Sequence, residues 1–376
     1  MSHHGLVALV ISNLEFGGAQ RQVVELANGL YNAGVPVCLV SMSDCVPLQE
    51  RLNQNIKLHV VQKKAKFDVT VISRLARLLK REQVRLVHGF LYDAEIAVRL
   101  AGRWARVPTV LGSERNSDYV IAPFKRRVYQ LTRGMRDGCI ANSWAGANFN
   151  SRTLLYPMTH YRVVYNGVDT ERFQPRDINA AKQALKLDSK RHYIGMIGSF
   201  KKQKNHLQLV RCAAEVCAQF PDHDFIVAGD VLDEGRRASH DIKQEVVGEI
   251  ERLGLTERVH LLGNIETIEV FYNACVATVL PSYYEGLPNV VLESFASGVP
   301  VVASDVSDNT LVVPKDGSSY VVQVDDDPAF VASLTALLQD DNTRARSDRL
   351  RALTLEQFSQ QKFASNMLEA YQSFGL

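Results

Sequence analysis

The sequence predicts an α/β protein made of two doubly wound halves, each a parallel sheet with helices on its faces. Three observations predict it. The chain has 376 residues, and domains run to roughly 100–200 residues each, which favours two. Short apolar runs alternate with helix-length stretches along most of the chain, the order expected when strands and helices interleave. Several of the runs are continuously apolar, as in parallel strands buried on both faces. The 46% hydrophobic and 22% charged content excludes a disordered chain or a collagen-like fibre.

The first run, residues 6–12, is aliphatic and reads as a buried strand. It is far shorter than the ~20 residues that cross a bilayer. The residues before it form no basic region, so no secretory signal is expected. Further strands are predicted at 35–41, 57–61, 84–90, 109–111 and 138–141, with helices at 19–33, 69–81, 94–104 and 124–132. Asn166-Gly167-Val168-Asp169 is a turn signal, and residues 172–177 carry a proline and charges. The alternation then restarts. Strands are predicted at 193–197, 224–228, 259–262, 277–280 and 299–303, with helices at 205–220, 241–253 and 290–297. Residues 328–376 read as helical throughout. The boundary falls at residue 168, between a first domain of 1–168 and a second beginning at 169. A ligand is expected between the halves, at the carboxyl ends of the strands.

The net charge of +2 conceals an asymmetry. Residues 1–165 hold 22 Lys/Arg against 11 Asp/Glu, and the remainder holds 21 against 30. The basic half suits an anionic partner: nucleic acid, an anionic membrane or a phosphorylated acceptor. Basic residues thicken around Arg74, Arg77, Lys80, Arg81 and Arg85. They do so again around Lys125, Arg126, Arg127, Arg133 and Arg136, beside Phe124, Tyr129 and Leu131. Either cluster is a solvated charged face or a surface for anionic lipid. No RNA-binding motif or aromatic stacking platform accompanies them, which argues against nucleic acid. The six cysteines show neither Cys-x-x-Cys nor His partners at zinc spacing. They read as reduced, mostly buried thiols of a cytosolic protein.

Three segments follow predicted strands and carry candidate chemistry. The first contains Gly17-Gly18 ahead of a helix, where the backbone can approach a ligand and the helix N-terminus favours an anion. Alone, the pair is more often an ordinary tight turn, and neither Gly-x-Gly-x-x-Gly nor a Walker-A lysine motif is present. The second, Gly198-Ser199-Phe200-Lys201-Lys202-Gln203-Lys204-Asn205, sets three lysines at a strand–helix junction. Lysine is a point-charge partner for phosphate; the plainer reading is a solvated basic loop. The third runs from Pro281 to Glu293, with a helix beginning near Asn289. The 286–289 loop can offer N–H groups to an anion. Glu285 and Glu293 supply acceptor oxygens suited to ligand hydroxyls, if they are not merely a cap and a surface residue.

Taken together, these segments resemble the large retaining glycosyltransferase family 4, whose fold is GT-B, two Rossmann-like domains facing each other across a cleft. The matching pieces are Gly-Gly-Ala-Gln, then Tyr-Asn-Gly-Val-Asp-x-x-x-Phe, then Gly-Ser-Phe-x-x-x-Lys-Asn. Glu-Gly-Leu-Pro-Asn-x-x-x-Glu follows, with Ala-Ser-Gly-x-Pro-Val-Val-Ala after it. They occur in the family's order over nearly the whole chain. The resemblance implies an acceptor-side domain over 1–168 and a nucleotide-sugar domain over 169–357. A final helix, around residues 355–371, crosses back so that about 358–376 joins the first domain.

The resemblance also implies roles. Glu293 binds ribose hydroxyls, Glu285 orients the donor sugar, and Lys204 neutralises the leaving diphosphate. Gly286, Leu287, Asn289 and the neighbours of Pro288 hold diphosphate or sugar oxygens, with Gly198 in the same loop system. Gly17 and Gly18 approach donor or acceptor, and Leu262 and Gly263 lie at the base-binding edge. Two departures stand out. Ser199 replaces the family's usual Arg, with Lys201 or Lys202 as candidates to supply the charge. The usual first-domain His is replaced within Ser113-Glu114-Arg115-Asn116, a form that resembles a subgroup of bacterial surface-polysaccharide enzymes. Glu114, Arg115 and Asn116 are therefore candidates for substrate or acceptor contact, unless Glu114 and Arg115 simply pair locally. His88 is an acceptor-side candidate or a packed strand residue.

The implied activity is retaining transfer of a sugar from a nucleotide-sugar, a UDP-hexose, UDP-GlcNAc or UDP-GalNAc, to a hydroxyl of a glycan or lipid-linked saccharide. Neither cofactor nor metal is expected, and the location is cytoplasmic, including the inner face of the membrane. The alternatives are a UDP-sugar epimerase of GT-B fold and a noncatalytic glycan or nucleotide binder.

Overall fold

A computed structural model describes residues 5–15, 17–65, 68–115, 121–231 and 236–376. The chain divides into two compact units, Met1–Gly167 with Phe358–Leu376, and Val168–Gln357.

The first unit holds a seven-stranded sheet: β1 (Val7–Ile11), β2 (Val37–Ser41), β3 (Lys57–Val60), β4 (Leu86–Phe90), β5 (Thr109–Glu114), β6 (Gly138–Ala141) and β7 (Tyr161–Val163). Their order is β3-β2-β1-β4-β5-β6-β7, and every neighbouring pair is parallel. The five strands β1, β2, β4, β5 and β6 are buried along their whole length, which is why β1 and β2 read as nearly unbroken apolar runs. Helices α1 (Gly18–Asn32), α2 (Thr70–Arg81), α3 (Tyr92–Ala105), α4 (Pro123–Thr132) and α5 (Trp144–Leu154) connect them. Valines and leucines of α2 and α3 form one core with β1, β2 and β4, while α1 buries Val23, Leu26, Ala27 and Leu30 in another.

The second unit opens with α6 (Ile178–Ala184) and holds a six-stranded parallel sheet: β8 (His192–Ile197), β9 (His223–Ala228), β10 (Val259–Gly263), β11 (Cys275–Leu280), β12 (Val301–Ser304) and β13 (Tyr320–Val322). The order is β10-β9-β8-β11-β12-β13. Helices α7 (His206–Gln219), α8 (Arg236–Arg252), α9 (Ile268–Ala274), α10 (Asn289–Ala296), α11 (Asn309–Val312), α12 (Asp327–Gln339) and α13 (Thr343–Gln357) complete it. The chain order reverses between β8 and β11, and the carboxyl ends of such a central pair are where open α/β sheets bind ligands.

Helix α14 (Gln360–Ser373) belongs to the first unit and sends Phe363, Met367, Ala370 and Tyr371 into the core around α1. A Cβ on Gly29 would lie 2.7 Å from that of Ala364, and one on Gly167 would lie 2.7 Å from that of Phe363. The two glycines thus set how closely α14 can approach.

Three expectations need correction. The stretch from 328 onward is not one continuous helical run: α12, α13 and α14 are separate. The last break falls at Phe358–Ser359, where the Ser359 side chain accepts from the Lys362 amide and caps α14. Strand β5 runs three residues past 111, which places Ser113 and Glu114 inside the sheet. Elements α5, α6, α9, α11, β7 and β13 appear where no element was expected. Among the described residues no helix is long and apolar enough to cross a membrane.

Candidate active site

Two loops meet at the reversal point of the second sheet. The first follows β8. Gly198 donates its N–H to the Ala228 carbonyl at 2.9 Å, and Lys204 passes beside it, with Cγ 3.1 Å from where a Cβ on Gly198 would stand. The second loop follows β11 and holds Tyr283, Tyr284 and Glu285. Gln203 joins the two loops. Its carbonyl accepts from the Tyr283 amide at 2.8 Å, and its side-chain amide donates to the Tyr284 carbonyl at 2.8 Å and to Glu285 Oε2 at 3.4 Å. Lys204 Nζ donates to Glu285 Oε1 at 2.5 Å, with side chains only 16% and 10% exposed. Removing one partner of such a pair costs about 3–5 kcal/mol, because the other is left uncompensated. The two residues predicted to act on diphosphate and sugar are thus brought together as one ion pair, 81 positions apart in sequence.

Helix α10 begins at Asn289 after Pro288, as the sequence predicts, and buries Glu293 on its first turns. Glu293 Oε2 accepts from the Tyr272 hydroxyl of α9 at 2.8 Å. Gly286, Leu287 and Pro288 are buried in the loop ahead of the helix. Glycines also bring the strand ends together. Gly229, at φ +132°, leaves its Cβ position 2.3 Å from the Gly198 carbonyl oxygen, and its N–H donates to the Gly263 carbonyl at 2.8 Å. Gly263 itself has φ +69°, a conformation that favours glycine. Gly263 thus ends β10 against Gly229, which in turn lies against the Gly198 carbonyl. Ser199 is half-buried, while Lys201 and Lys202 are exposed.

Farther out, Asn205 takes the left-handed conformation (φ +53°) and donates to Asp325 Oδ1 at 3.0 Å, which also accepts from Tyr283 at 3.3 Å. His206 stacks on Phe200 with ring centres 4.6 Å apart, and burial pushes its pKa down to about 4. Sequence reasoning missed Gln203, Asn205 and Tyr272. Gln203 and Asn205 lie within the lysine segment, where a neutral amide carries no charge signal. Tyr272 had no motif to mark it.

In the first unit, Gly17 caps α1 in an extended conformation (φ −150°), and a Cβ there would collide with the Gln20 side chain. Its backbone is extended, so no left-handed turn requires glycine there, and the crowding comes only from the movable end of the Gln20 side chain. Gly18 is the first residue of α1. His88 is fully buried, with Nδ1 2.8 Å from the Tyr371 hydroxyl and Nε2 3.0 Å from Ser113 Oγ. Burial holds it well below the ordinary histidine range, so its acceptor-side reading gives way to that of a packed strand residue. Glu114 is buried and accepts from the Arg115 amide at 2.9 Å. The Arg115 side chain turns instead to Asn166, donating from Nη1 to Oδ1 at 3.0 Å. Asn116 lies outside the described residues. Among those residues no three His, Cys, Asp or Glu side chains gather as metal ligands would.

Two family models match consecutive parts of the chain: Glycosyltransferase Family 4 over residues 16–172, and Glycosyl transferases group 1 over 177–350. Together they take in most of it. The chain is a family 4 glycosyltransferase of the GT-B fold. This glycosyltransferase is 31% identical over 229 residues to the lipopolysaccharide core biosynthesis mannosyltransferase LpsB of Rhizobium meliloti, a match spanning 60% of this chain and 64% of that protein. It is 25% identical over 318 residues to the UDP-Gal:alpha-D-GlcNAc-diphosphoundecaprenol alpha-1,3-galactosyltransferase of Escherichia coli, over 81% and 79% of the two chains. Its fold is also that of Anabaena Alr3699/HepE in complex with UDP, with a TM-score of 0.85 and 18% identity over 98% and 99% of the chains.

Proposed function

We propose that this glycosyltransferase moves a sugar from a UDP-sugar to a hydroxyl of a glycan or lipid-linked saccharide, with retention and without a metal, in assembly of bacterial lipopolysaccharide or surface polysaccharide. The observation that carries the reading is the Lys204–Glu285 pair in the loops that lead into α10, the helix that carries Glu293. The donor's C1–O bond to diphosphate breaks, and a bond from C1 to the acceptor oxygen forms on the same face. The acceptor's proton goes to the leaving diphosphate. Lys204 and the α10 N-terminus are placed in advance for the charge that develops there. Glu285 orients the sugar and Glu293 holds the ribose. The Escherichia coli relative, whose name gives a UDP-sugar donor and a diphosphoundecaprenol-linked acceptor, supports this donor and acceptor class.

The exposed basic helix α4 carries Lys125, Arg126 and Arg127 beside exposed Phe124 and Leu131. We assign it peripheral contact with anionic membrane, each charge contributing about 1 kcal/mol.

A thermal-shift series with UDP, GDP, ADP and their sugar conjugates, with and without EDTA, tests the donor site. A shift with uridine nucleotides that EDTA leaves intact is expected. No shift with any nucleotide overturns the assignment, and turnover of a UDP-sugar without acceptor points to an epimerase instead. Product anomeric configuration, read by NMR, tests retention. Binding to anionic but not neutral vesicles tests the membrane contact.

A further inference from the structure

The two oxygens of the buried Glu285 carboxylate face consecutive residues of one short turn. Lys204 Nζ donates to Oε1 at 2.5 Å, and Gln203 Nε2 lies 3.4 Å from Oε2. Both donors belong to the 3-10 turn Lys202–Lys204. That turn is itself held at its end. The Lys204 amide donates to the Lys201 carbonyl at 2.9 Å, and Asn205, left-handed at φ +53°, donates to Asp325.

Gln203 meets three successive residues of the facing loop. Its main-chain carbonyl accepts from the Tyr283 amide at 2.8 Å, and its side chain serves Tyr284 and Glu285. The groups in front of Nε2, a carbonyl and a carboxylate, can only accept. A side chain placed there has to donate twice, and the two hydrogens of a primary amide do so. The bond to the Tyr284 carbonyl, at 2.8 Å, is the stronger. The contact with Oε2 exceeds the usual range of about 2.7–3.2 Å and steers rather than anchors.

The alternatives to an amide fail on charge. A carboxylate at this position would set a third acceptor against two. A cation would compete with Lys204 for Glu285. Gln203 donates while leaving the charge of the Lys204–Glu285 pair unchanged. Because Tyr284 is the peptide neighbour of Glu285, the bond to its carbonyl also fixes the backbone from which the Glu285 side chain departs.

We propose that Gln203 is a positioning residue for donor-sugar selection. Through the Tyr284 carbonyl and Oε2 it sets the direction of the Glu285 carboxylate, and with it the pattern of sugar hydroxyls that the site prefers. This rests on the assignment of Glu285 to the donor sugar made above.

The test measures Kd for UDP, UDP-glucose, UDP-galactose, UDP-GlcNAc and UDP-GalNAc by calorimetry on the full chain. Sugar preference is the ratio of Kd between the weakest and the tightest of the UDP-sugars. A wild-type preference of about tenfold or more is expected, and Glu285→Gln should abolish it. Gln203→Met keeps the side-chain length and the main-chain bond to Tyr283 but donates nothing. It should lower the preference by about 3–10-fold, the range of one neutral hydrogen bond, with UDP affinity held within about threefold. Gln203→Glu should lose the preference at about pH 8 and regain it toward about pH 5.5, where its carboxyl, raised by the neighbouring Glu285, carries a proton and donates again. A residue with a merely structural role would weaken UDP and every UDP-sugar together and show no such recovery. An unchanged preference in Gln203→Met, with that of Glu285→Gln abolished, overturns the proposal and leaves the donor reading standing. A wild type that binds no UDP, or binds it without sugar preference, or a preference that survives in Glu285→Gln, overturns both.

Discussion

Replacing Tyr272 by Phe removes one oxygen from a fully buried position and leaves the ring in place. That hydroxyl donates to Glu293 Oε2 at 2.8 Å, and Glu293 is only 6% exposed. A hydrogen bond to a charged group contributes about 1.5–3 kcal/mol. No cavity term adds to it, and the edge-on contact of the ring with Phe173 at 5.8 Å survives. The second unit holds roughly 190 residues (Val168–Gln357). For that size each kcal/mol moves Tm by about 2–4 °C, so its transition should fall by about 3–12 °C. The carboxylate also loses a partner that fixes its direction, so UDP should bind more weakly. Calorimetry and UDP titration of the wild type, Tyr272→Phe, Glu293→Gln and the double variant separate the two effects. If Tyr272 acts on nucleotide through Glu293, the double variant loses no more UDP affinity than Glu293→Gln alone. Additive losses in affinity, or an unmoved transition, refute the reasoning.

Other outcomes follow from the same geometry. Gly198→Ala places a methyl against the Lys204 stem and should lower kcat more than it raises the donor KM, with Lys204→Ala more severe; equal kinetics in both variants would remove Lys204 from the chemistry. His206 has its folded pKa lowered from 6.5 to about 4, so the unfolded chain takes up its proton first as pH falls. Stability should therefore drop from pH 6.5 downward, by about 2 kcal/mol between pH 7 and pH 5. Urea titrations at the two pH values should show a smaller drop in His206→Gln. Five of the six cysteines are buried and only Cys45 is exposed, and burial pushes the Cys38, Cys139 and Cys212 thiols up to about 12. A thiol reagent should label Cys45 alone in the native protein, as peptide mapping will report.

Much of the fold was legible because parallel strands buried on both faces leave unbroken aliphatic runs, as in residues 7–11 and 37–41. The missed elements lacked such a signature. Helix α9 is seven residues long and buries Phe271, Tyr272, Asn273 and Ala274 in succession, which erases any amphipathic period. Helix α5 starts Trp-Ala-Gly-Ala-Asn, a composition that reads as loop, and depends on the Ser143 side chain accepting from the Gly146 amide at 3.0 Å. Strands β7 and β13 have three residues each. At the site, residue types and their loops were readable, since glutamates and lysines after strands stand out. Their partners were not. Lys204 meets Glu285 only because β8 and β11 are neighbours in the sheet, and no local spacing encodes that adjacency. The same holds for His88, whose packed role is set by Tyr371, 283 positions away.

The first unit is discontinuous in sequence, and that bears on how the protein is made. On the ribosome, residues 1–167 emerge without Phe363, Met367 and Tyr371, which later fill the core beside α1. His88 then lacks its Tyr371 partner, and the apolar face of α1 has no cover. The second unit is contiguous and can close as soon as residue 357 clears the exit tunnel, so the unit synthesised first is the one completed last. For the duration of some 190 further residues (168–357), the nascent chain presents an unfinished apolar groove whose proper occupant is its own α14, and holding that groove open is work suited to a chaperone.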